Sequence, residues 1–554
     1  MSWIDEKPWL KTAYDNPEDA TPIPLTPPLD LWIDAVNEVP EHPAIYYYGT
    51  ELTYSDVDRM SNAFAAYLAH NGFGEGDPLG VYLQNVPHYM ITVIAVWKLG
   101  GVVVPLNPMY RDELDHIFTD SGVKALVVSA AAYMDRVKDH AGDIPLVVTV
   151  GEHDFVTTNE PAIFDMFPQQ IDTEKPDFLA VLKEHDGATV TVNKRAHDPD
   201  AVGLIGYTSG TSGKSKGALL PFKGLGVNSL MLVHRYNFEP KLTFYQMAPV
   251  FHITGFVCIF LSAISTKATL VLNYRFDPAV ALKQFRETRP VYMAGPATAF
   301  TALLTQPDFT PDDFSSFRSI MSGGAALPEG LVKKFEERAG IYVGQGYGLT
   351  ETSAQCVTVP HWLRAPVDPE SGNLSCGLPS VDAHVRIARE DGSDCDPGEV
   401  GEVYVSGPMV AHCYLNNPTA TETDIPNGEL HTGDVGFMDK DGWVYIVDRK
   451  KDMINASGFK VWPREVEDVL YLHPAVSEAA VVGVPDDYRG ENVVAFVTRR
   501  AGEDVTEDQI IEHCRAHLAA YKAPRQVNFI DALPKTASGK ILRREMRTVA
   551  ADQE

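Results

Sequence analysis

Short apolar runs alternate with helical patterns between residues 31 and 200. Residues 78–84 and 101–106 have the apolar character of strands, and residues 89–99 between them form a run typical of a buried helix. Strands that alternate with helices in this way favour a sheet of parallel strands covered by helices. The pattern predicts a large α/β unit in the first part of the chain.

A smaller unit is predicted in the last part of the chain. Residues 462–472 have a helical pattern and residues 479–484 an apolar run that predicts a strand. Thr506 and Gln509 have the spacing of a capping box ahead of an apolar helical face. Because 554 residues are too many for a single hydrophobic core, we expect two or more domains.

Two segments have neither the apolar runs of strands nor the spacing of a helical face. Prolines at positions 22, 24, 27 and 28 predict that residues 1–30 form an extended arm. Residues 168–200 are polar and irregular, which predicts a surface connection.

The net charge of −29, from 46 Lys and Arg against 75 Asp and Glu, argues against general binding to nucleic acid or to an anionic membrane. Such binding needs cations to neutralise phosphates. The same acidity makes local basic segments informative. Residues 448–464 carry five Lys or Arg against two Asp, and residues 535–547 carry five against one Glu. We interpret both as sites for anionic ligands; the alternative is exposed surface charge.

The six cysteines have neither a C-x-x-C motif nor the spacing of metal ligands, which predicts a reduced, cytoplasmic protein. The first residues lack the apolar region of a signal peptide. Residues 91–97 and 257–264 are apolar runs too short to span a bilayer, and the last four residues are not a peroxisomal signal.

Residues 207–217 (YTSGTSGKSKG) combine glycines, hydroxyl side chains and two lysines without any aliphatic side chain. Such a loop exposes backbone N–H groups, hydroxyls and positive charge, which a polyphosphate requires. The alternative, a flexible linker, fits poorly because apolar runs flank the loop on both sides. The P-loop of NTPases is excluded by spacing, since its first glycine falls on Thr208.

This loop closely resembles the phosphate loop of the adenylate-forming superfamily, which comprises acyl-CoA synthetases, luciferases and peptide-synthetase adenylation domains. The one departure is Ser215, where that family usually has proline. Further motifs match in the family's order from about residue 40 to 545, at residues 248–256, 319–328, 344–352, 431–434, 442–449 and 534–544. The resemblance implies an α/β fold with a large multi-subdomain N-terminal domain (1–448), a hinge (449–452) and a small mobile α+β C-terminal lid domain (453–554).

The resemblance implies roles for individual residues in binding ATP and Mg²⁺. Glu351 and Thr208 are the expected metal ligands; Glu351 offers the hard oxygen that Mg²⁺ prefers. Tyr347 is expected to stack on adenine, and Asp434 and Arg449 to hold the ribose. The remaining expected nucleotide-binding residues are Ser209, Gly210, Thr211, Ser212, Lys216, Gly323, Gly324, Ala325, Gln345, Gly346 and Thr350.

An acyl pocket is implied by residues 252–256 together with two glycines. His252 is expected beside the substrate carboxylate, although a lone histidine in apolar sequence is more often a core residue. Gly348 stands where acetate-specific relatives have tryptophan, which leaves the pocket floor open and favours a substrate larger than acetate. Thr254 stands where hydroxycinnamate ligases have a large aromatic residue, which favours an aliphatic acyl group over a stacked ring. Phe256 and Gly323 complete the expected pocket.

The C-terminal motif implies that Lys540 is a catalytic lysine, together with Glu351, Thr208, Lys216 and His252. Lys451 matches the family's hinge residue. Gly458 and Lys460 match the loop that lines the tunnel for the pantetheine arm of coenzyme A, and Lys451 and Lys460 are therefore also expected in cofactor binding.

The implied function is an AMP-forming acyl-CoA synthetase that uses ATP, Mg²⁺ and coenzyme A. The expected substrate is a medium- or long-chain fatty acid or another bulky carboxylic acid, and a homodimer is expected. Three alternatives stay open: an enzyme that loads a carrier-protein thiol, an oxidative luciferase, and a non-catalytic nucleotide- or acyl-CoA-binding protein.

Overall fold

Four β-sheets organise the computed structural model. It describes residues 3–14, 20–158, 161–208, 214–325, 327–369, 372–456, 459–486, 490–500, 502–535 and 541–551. The strands are β1 (Pro43–Tyr47), β2 (Thr50–Thr53), β3 (Pro78–Tyr82), β4 (Val102–Pro105), β5 (Ala125–Ser129), β6 (Leu146–Val150), β7 (Val202–Thr208), β8 (Lys216–Pro221), β9 (Thr243–Tyr245), β10 (Thr269–Val271), β11 (Tyr292–Gly295), β12 (Ser319–Gly323), β13 (Val343–Leu349), β14 (Ala354–Thr358), β15 (Leu378–Pro379), β16 (His384–Ala388), β17 (Gly401–Ser406), β18 (Glu429–Met438), β19 (Val444–Arg449), β20 (Ile454–Ala456), β21 (Phe459–Val461), β22 (Val476–Asp486), β23 (Gly490–Arg499) and β24 (Gln526–Phe529).

The α-helices are distributed along the whole described chain. They are α1 (Pro8–Ala13), α2 (Pro28–Glu38), α3 (Tyr54–His70), α4 (Pro87–Lys98), α5 (Glu113–Ser121), α6 (Ala130–Ala132), α7 (Phe178–Glu184), α8 (Phe222–Tyr236), α9 (Ser262–Ser265), α10 (Pro278–Thr288), α11 (Ala297–Leu304), α12 (Glu329–Ala339), α13 (Pro418–Asp424), α14 (Pro463–Leu472), α15 (Glu507–His517) and α16 (Arg543–Ala551). A π-helix at Thr254–Leu261 leads into α9.

A six-stranded sheet has the order β6-β5-β3-β4-β7-β8. Its strands are parallel except for β8, which returns antiparallel to β7. The strands expected at residues 78–84 and 101–106 are β3 and β4. The buried helix expected between them is α4, in which every residue is buried, so parallel α/β architecture is confirmed here.

A nine-stranded sheet has the order β15-β14-β13-β12-β11-β9-β10-β1-β2. Its six inner strands, from β13 to β1, are parallel, and antiparallel strands close both edges. One hydrophobic core joins this sheet to the six-stranded sheet. Within it, Trp97 of α4 lies edge-on to Phe222 of α8 and to Phe256 of the π-helix.

Two smaller sheets complete the fold. Strands β16-β17-β18-β19 form an antiparallel sheet, and β21-β20-β23-β22 form a second, to which β24 adds beside β23. The second sheet packs with α14 and α15 around a core of its own. The predicted capping box at Thr506 and Gln509 is present at the start of α15. A large α/β domain followed by a smaller C-terminal sheet domain is thus confirmed, whereas the hinge at 449–452 stays a prediction.

The N-terminal arm is not extended throughout. Helices α1 and α2 both begin with proline, because proline at the first helical position loses no hydrogen bond and already has helical φ. Trp9 of α1 is fully buried and lies against Gly442. The expectation for residues 1–30 is therefore wrong for these helices, as is that of an irregular connection at 168–200, which contains α7 capped by Asp177.

None of the helices in the described part of the chain has the length and apolar character needed to cross a membrane.

Candidate active site

Strands β7 and β8 form a hairpin whose tip is the predicted phosphate loop. Thr208 and Lys216 are cross-strand partners at the end of the hairpin next to this loop. The Tyr207 hydroxyl donates to Asp120 Oδ2 at 2.7 Å, and His116 Nε2 lies 2.8 Å from the carbonyl oxygen of Ser215. Both ends of the loop are therefore held in place. Four predicted phosphate contacts lie outside the described residues: Ser209, Gly210, Thr211 and Ser212.

The side chain of Lys216 is held by two groups that sequence reasoning missed. Its Nζ lies 2.6 Å from Asp424 Oδ2 and 4.1 Å from the ring centroid of Tyr414. Both contacts hold the ammonium group of Lys216 beside the loop end of the hairpin.

Glu351 lies in the short turn after β13 and is only 7% exposed. The Tyr414 hydroxyl donates to its Oε1 at 2.8 Å. Burial and the neighbouring Glu351 both raise the pKa of Tyr414, which keeps the hydroxyl protonated as a donor. Tyr414 therefore contacts Glu351 with its hydroxyl and Lys216 with its ring.

The turn that carries Glu351 packs directly on the phosphate hairpin. A Cβ at Gly206 of β7 would lie 2.4 Å from Cγ2 of Thr350. Only glycine permits so close an approach. The predicted phosphate and metal residues are consequently brought to one site.

Asp434 and Arg449 face each other on neighbouring strands β18 and β19. Arg449 Nε lies 3.1 Å from Asp434 Oδ1, and the Tyr347 hydroxyl donates to Asp434 Oδ2 at 2.8 Å. Burial and Asp434 raise the pKa of Tyr347. The residues expected at adenine and at ribose thus form one hydrogen-bonded group, with a buried carboxylate between two donors.

Glycines form the strand ends beside this group. Gly323 of β12 and Gly346 of β13 are neighbours in register, and a Cβ at Gly323 would lie 3.1 Å from the carbonyl oxygen of Gly346. Gly324 has a φ of +80°, a conformation that favours glycine, and Ala325 after it is exposed. A Cβ at Gly323 would meet only the backbone of Gly346, and one at Gly324 would meet nothing within 4 Å, so the turn leaves room for a flat ring, as expected. Gln345 beside it is buried.

Gly348 has a structural reason to be glycine that the sequence did not reveal. A Cβ there would lie 1.9 Å from the carbonyl oxygen of Ala354 on β14, at an irregularity in the pairing of β13 with β14. A side chain at this position would point into the backbone of β14 and not into a pocket. The expectation that glycine at position 348 leaves room for a larger substrate is therefore corrected, and the position of Gly348 beside the acyl group stays a prediction.

The other expected acyl-pocket residues surround the start of the π-helix. His252 Nδ1 accepts from the backbone N–H of Thr254 at 3.3 Å, which orients the ring. Phe256 has no exposed surface and packs edge-on against Phe260 and Trp97. Phe256 is thus a core residue in this structure, and its contact with substrate stays a prediction.

The predicted hinge residue Lys451 lies in a 3₁₀ turn at Lys450–Asp452. Desolvation, and secondly Arg449, lower its pKa to about 8. Lys460 is exposed, with Nζ 3.6 Å from a carboxylate oxygen of Glu390. Gly458 and Lys540 lie outside the described residues.

Within the described part of the chain, no three His, Cys, Asp or Glu side chains group as metal ligands. Glu351 and Thr208 would be the protein ligands of a metal at this site, and that role stays a prediction. That donor set fits Mg²⁺, which usually keeps several waters and is bound by one or two carboxylates together with substrate phosphates.

Neither Tyr414 nor Asp424 lies in a sequence motif that predicted its role. Tyr414 follows β17 in an irregular stretch, and Asp424 ends a short helix that has no buried residues. Only the fold brings them to Lys216.

Two family models match the chain. The model of the AMP-binding enzyme covers residues 33–415, and that of the AMP-binding enzyme C-terminal domain covers residues 465–540.

Curated relatives and solved structures match over nearly the whole chain. A long-chain-fatty-acid–CoA ligase of Bacillus subtilis is 33% identical over 98% of both chains. A feruloyl-CoA synthase of Amycolatopsis is 34% identical over 92% of this chain and 96% of the other. The structure of o-succinylbenzoate coenzyme A synthetase from Bacillus subtilis, in complex with ATP and a magnesium ion, superposes with a TM-score of 0.78 at 28% identity, covering 93% of this chain and 99% of that one.

Proposed function

Because the chain belongs to the AMP-binding enzyme family and is an adenylate-forming acyl-CoA synthetase, we propose that it activates a bulky carboxylic acid in two half-reactions. In the first, the substrate carboxylate attacks the α-phosphate of ATP, and acyl-AMP and pyrophosphate form. In the second, the thiol of coenzyme A attacks the acyl carbon, and AMP leaves as the thioester forms.

The convergence of two groups of side chains supports this proposal most strongly. Lys216, Tyr414 and Glu351 lie against the phosphate hairpin, and Tyr347, Asp434 and Arg449 form the second group. The turn at Thr350–Thr352 continues β13 and so joins them. One group supplies charge for a triphosphate, and the other supplies a carboxylate and donors for a ribose diol.

Each group has a task in the first half-reaction. Lys216 and the phosphate hairpin orient the leaving pyrophosphate and balance its growing charge. Asp434 accepts from the ribose hydroxyls while Arg449 holds Asp434 in place. Mg²⁺ on Glu351 would neutralise phosphate charge. His252 is proposed to lie beside the substrate carboxylate.

The substrate is proposed to be a medium- or long-chain fatty acid or another bulky acid, in line with the names of the relatives. The six cysteines are free thiols, which fits the cytoplasmic location that we propose. The homodimer stays a prediction.

Pyrophosphate release with ATP and Mg²⁺ tests the function across a panel of carboxylic acids, with and without coenzyme A. We expect sustained turnover on bulky acids only when coenzyme A is present. Pyrophosphate release that ignores coenzyme A while acyl-AMP accumulates would instead indicate a carrier-protein acceptor. Absence of turnover on every acid contradicts the proposal.

A further inference from the structure

Helix α5 carries two polar side chains, His116 and Asp120, that lie one turn apart. Residues four positions apart on a helix share a face, and both side chains are half-buried. His116 contacts the residue just before β8, and Asp120 contacts the end of β7. One face of α5 therefore contacts both strands of the phosphate hairpin, next to its loop.

The contact of His116 fixes a peptide group that leads into Lys216. His116 Nε2 lies 2.8 Å from the carbonyl oxygen of Ser215. A carbonyl oxygen only accepts, so Nε2 is the ring nitrogen that carries the proton and donates. Because the peptide unit is planar, a bond to this oxygen also sets the direction in which the chain enters Lys216.

The contact of Asp120 holds the opposite strand. The Tyr207 hydroxyl donates to Asp120 Oδ2 at 2.7 Å, and Tyr207 directly precedes Thr208. The ring of His116 also lies edge-on to that of Tyr207, with ring centroids 6.3 Å apart. The cross-strand partners Thr208 and Lys216 thus each follow a residue that α5 holds.

Helix α5 is itself firmly anchored. Leu114 and Ile117 have no exposed surface, and they lie in a hydrophobic core that also contains Ile205 of β7. Asn416 Nδ2 donates to the backbone carbonyl of Asp120 at 2.9 Å, which fixes the last turn of the helix. The support for the hairpin is therefore in place before a ligand binds.

We propose that His116 is a positioning residue for ATP, which acts through the Ser215 carbonyl to place the ammonium group of Lys216 for the outer phosphates. Asp120 supports the other strand in the same way. Residues 207–217 include three glycines, whose backbone freedom makes ordering costly unless neighbours fix it in advance. The inference rests on the function proposed above and adds to it a helix outside the matched motifs.

The contact concerns the outer phosphates and not the nucleoside. The group proposed for adenine and ribose, Tyr347, Asp434 and Arg449, is built on β13, β18 and β19. AMP has no β- or γ-phosphate, so its binding depends on that group and not on the placement of Lys216. Loss of the His116 contact should therefore weaken the binding of ATP and spare that of AMP.

Dissociation constants for ATP with Mg²⁺ and for AMP test the proposal, measured by calorimetry on the full chain without acid or coenzyme A. His116→Gln and His116→Asn are a matched pair of amides, because Gln can place a nitrogen where Nε2 lies and Asn is too short. In His116→Asn we expect the Kd for ATP to rise by about 3- to 10-fold, the effect of one net hydrogen bond, with the Kd for AMP unchanged. In His116→Gln both should stay near the wild-type values.

Two further variants separate this role from general support of α5. His116→Leu also lacks the donor and is a better helix former than Asn, so it should show the same ATP-specific loss. His140→Leu removes a different histidine contact to α5, since His140 Nδ1 lies 2.7 Å from Oδ1 of the exposed Asp115. It should leave both constants unchanged, and urea unfolding shows that each variant is folded.

The outcomes distinguish this inference from the proposed function. An unchanged Kd for ATP in His116→Asn and His116→Leu overturns the role of His116, and so does an equal rise for ATP and AMP. A loss in His116→Gln as large as in His116→Asn, or an ATP-specific loss in His140→Leu, overturns it as well. All of these leave the synthetase function standing. If the wild-type protein does not bind ATP, the proposed function is overturned and this inference with it.

Discussion

At the scale of single residues, Tyr414 shows how one side chain contacts two groups of opposite charge. Its hydroxyl donates to Glu351 at 2.8 Å, while its ring face lies 4.1 Å from the ammonium of Lys216. The hydroxyl steadies the carboxylate and the ring screens the cation from it. Tyr414 therefore separates the carboxylate of Glu351, the proposed metal ligand, from the ammonium of Lys216, the proposed phosphate contact.

Replacing Glu351 with glutamine tests the metal site at this scale. Glu351→Gln keeps the shape and the bond from Tyr414 but removes the charge that would hold Mg²⁺. We expect pyrophosphate release to fall by roughly 100- to 1,000-fold, the size of effect seen when one stabilising group at a transition state is removed. Initial rates across a Mg²⁺ titration measure it.

Tyr414→Phe is the matched control, since it leaves the carboxylate of Glu351 in place and removes only the hydroxyl that donates to it. We expect the rate of pyrophosphate release to fall by about 10-fold. If Glu351→Gln retained wild-type turnover at low Mg²⁺, Glu351 would not be the metal ligand.

Motif residues could be selected from the sequence because each stands in a short, recognisable motif. The structure brings Tyr347, Asp434 and Arg449 into one hydrogen-bonded group, as their shared motif role requires, and their binding roles stay predictions. Tyr414 and Asp424 could not be predicted, because their contacts join segments far apart in the chain.

At the scale of elements, the periodic segments were predictable and the proline-rich ones were not. The expected strand–helix–strand succession is confirmed in β3, α4 and β4 because burial on both faces produces long apolar runs. Pro28, one of the prolines that favour an extended chain in the sequence, instead begins α2, and α1 likewise begins with a proline. Whether a proline starts a helix or prevents one depends on the residues that the helix later buries, such as Trp9.

Gly348→Ala tests the close approach of β13 and β14. The added Cβ would meet the Ala354 carbonyl oxygen at 1.9 Å, so the strands must separate at an expected cost of about 1–3 kcal/mol in free energy of unfolding. Activity should fall with it, since Glu351 follows on the same chain segment. Urea unfolding and pyrophosphate release measure the two effects.

Gly330→Ala in α12 is the matched control, because a Cβ there would meet nothing within 4 Å. It should raise stability by about 0.4–1 kcal/mol and leave activity unchanged. Equal stability of both variants would contradict the close approach at Gly348.

At the scale of the whole molecule, α16 ties the C-terminal sheet domain to the predicted hinge. Arg543 lies 2.7 Å from Glu467 and 3.5 Å from both Asp448 and Asp452, and Arg547 lies 2.9 Å from Asp452. Asp448 ends the predicted N-terminal domain. Burial raises the pKa of Asp448 and Arg543 opposes that rise, so one arginine compensates several buried carboxylates around the hinge.

Arg543→Met should destabilise the protein by about 3–5 kcal/mol near neutral pH, because it leaves buried carboxylates without their cation. The loss depends on pH with a definite sign. The pKa of Asp448 is already raised in the folded protein and should rise further in the variant. The destabilisation therefore grows as pH rises from the unfolded pKa of an aspartate, about 3.9, toward the raised folded pKa, and it vanishes below the unfolded pKa. The variant should approach wild-type stability as pH is lowered from about 7 to about 4.

Urea unfolding at both pH values measures this difference. Arg289→Met, which removes an ion pair with the highly exposed Asp312, should cost less than about 1 kcal/mol with little dependence on pH. A loss in Arg543→Met that is the same at both pH values would contradict the compensating role of Arg543.

Domain alternation is the prediction that belongs to the molecule as a whole. If the C-terminal domain rotates about Lys451 between the half-reactions, Lys540 acts only in the first. Lys540→Ala should then slow acyl-AMP formation far more than thioester formation from supplied acyl-AMP, because its positive charge stabilises phosphate and not the attacking thiol. Pyrophosphate release and single-turnover CoA ester formation measure the two steps separately. Equal losses in both would mean that Lys540 supports the fold or a shared step, and the rotation would lose its main support.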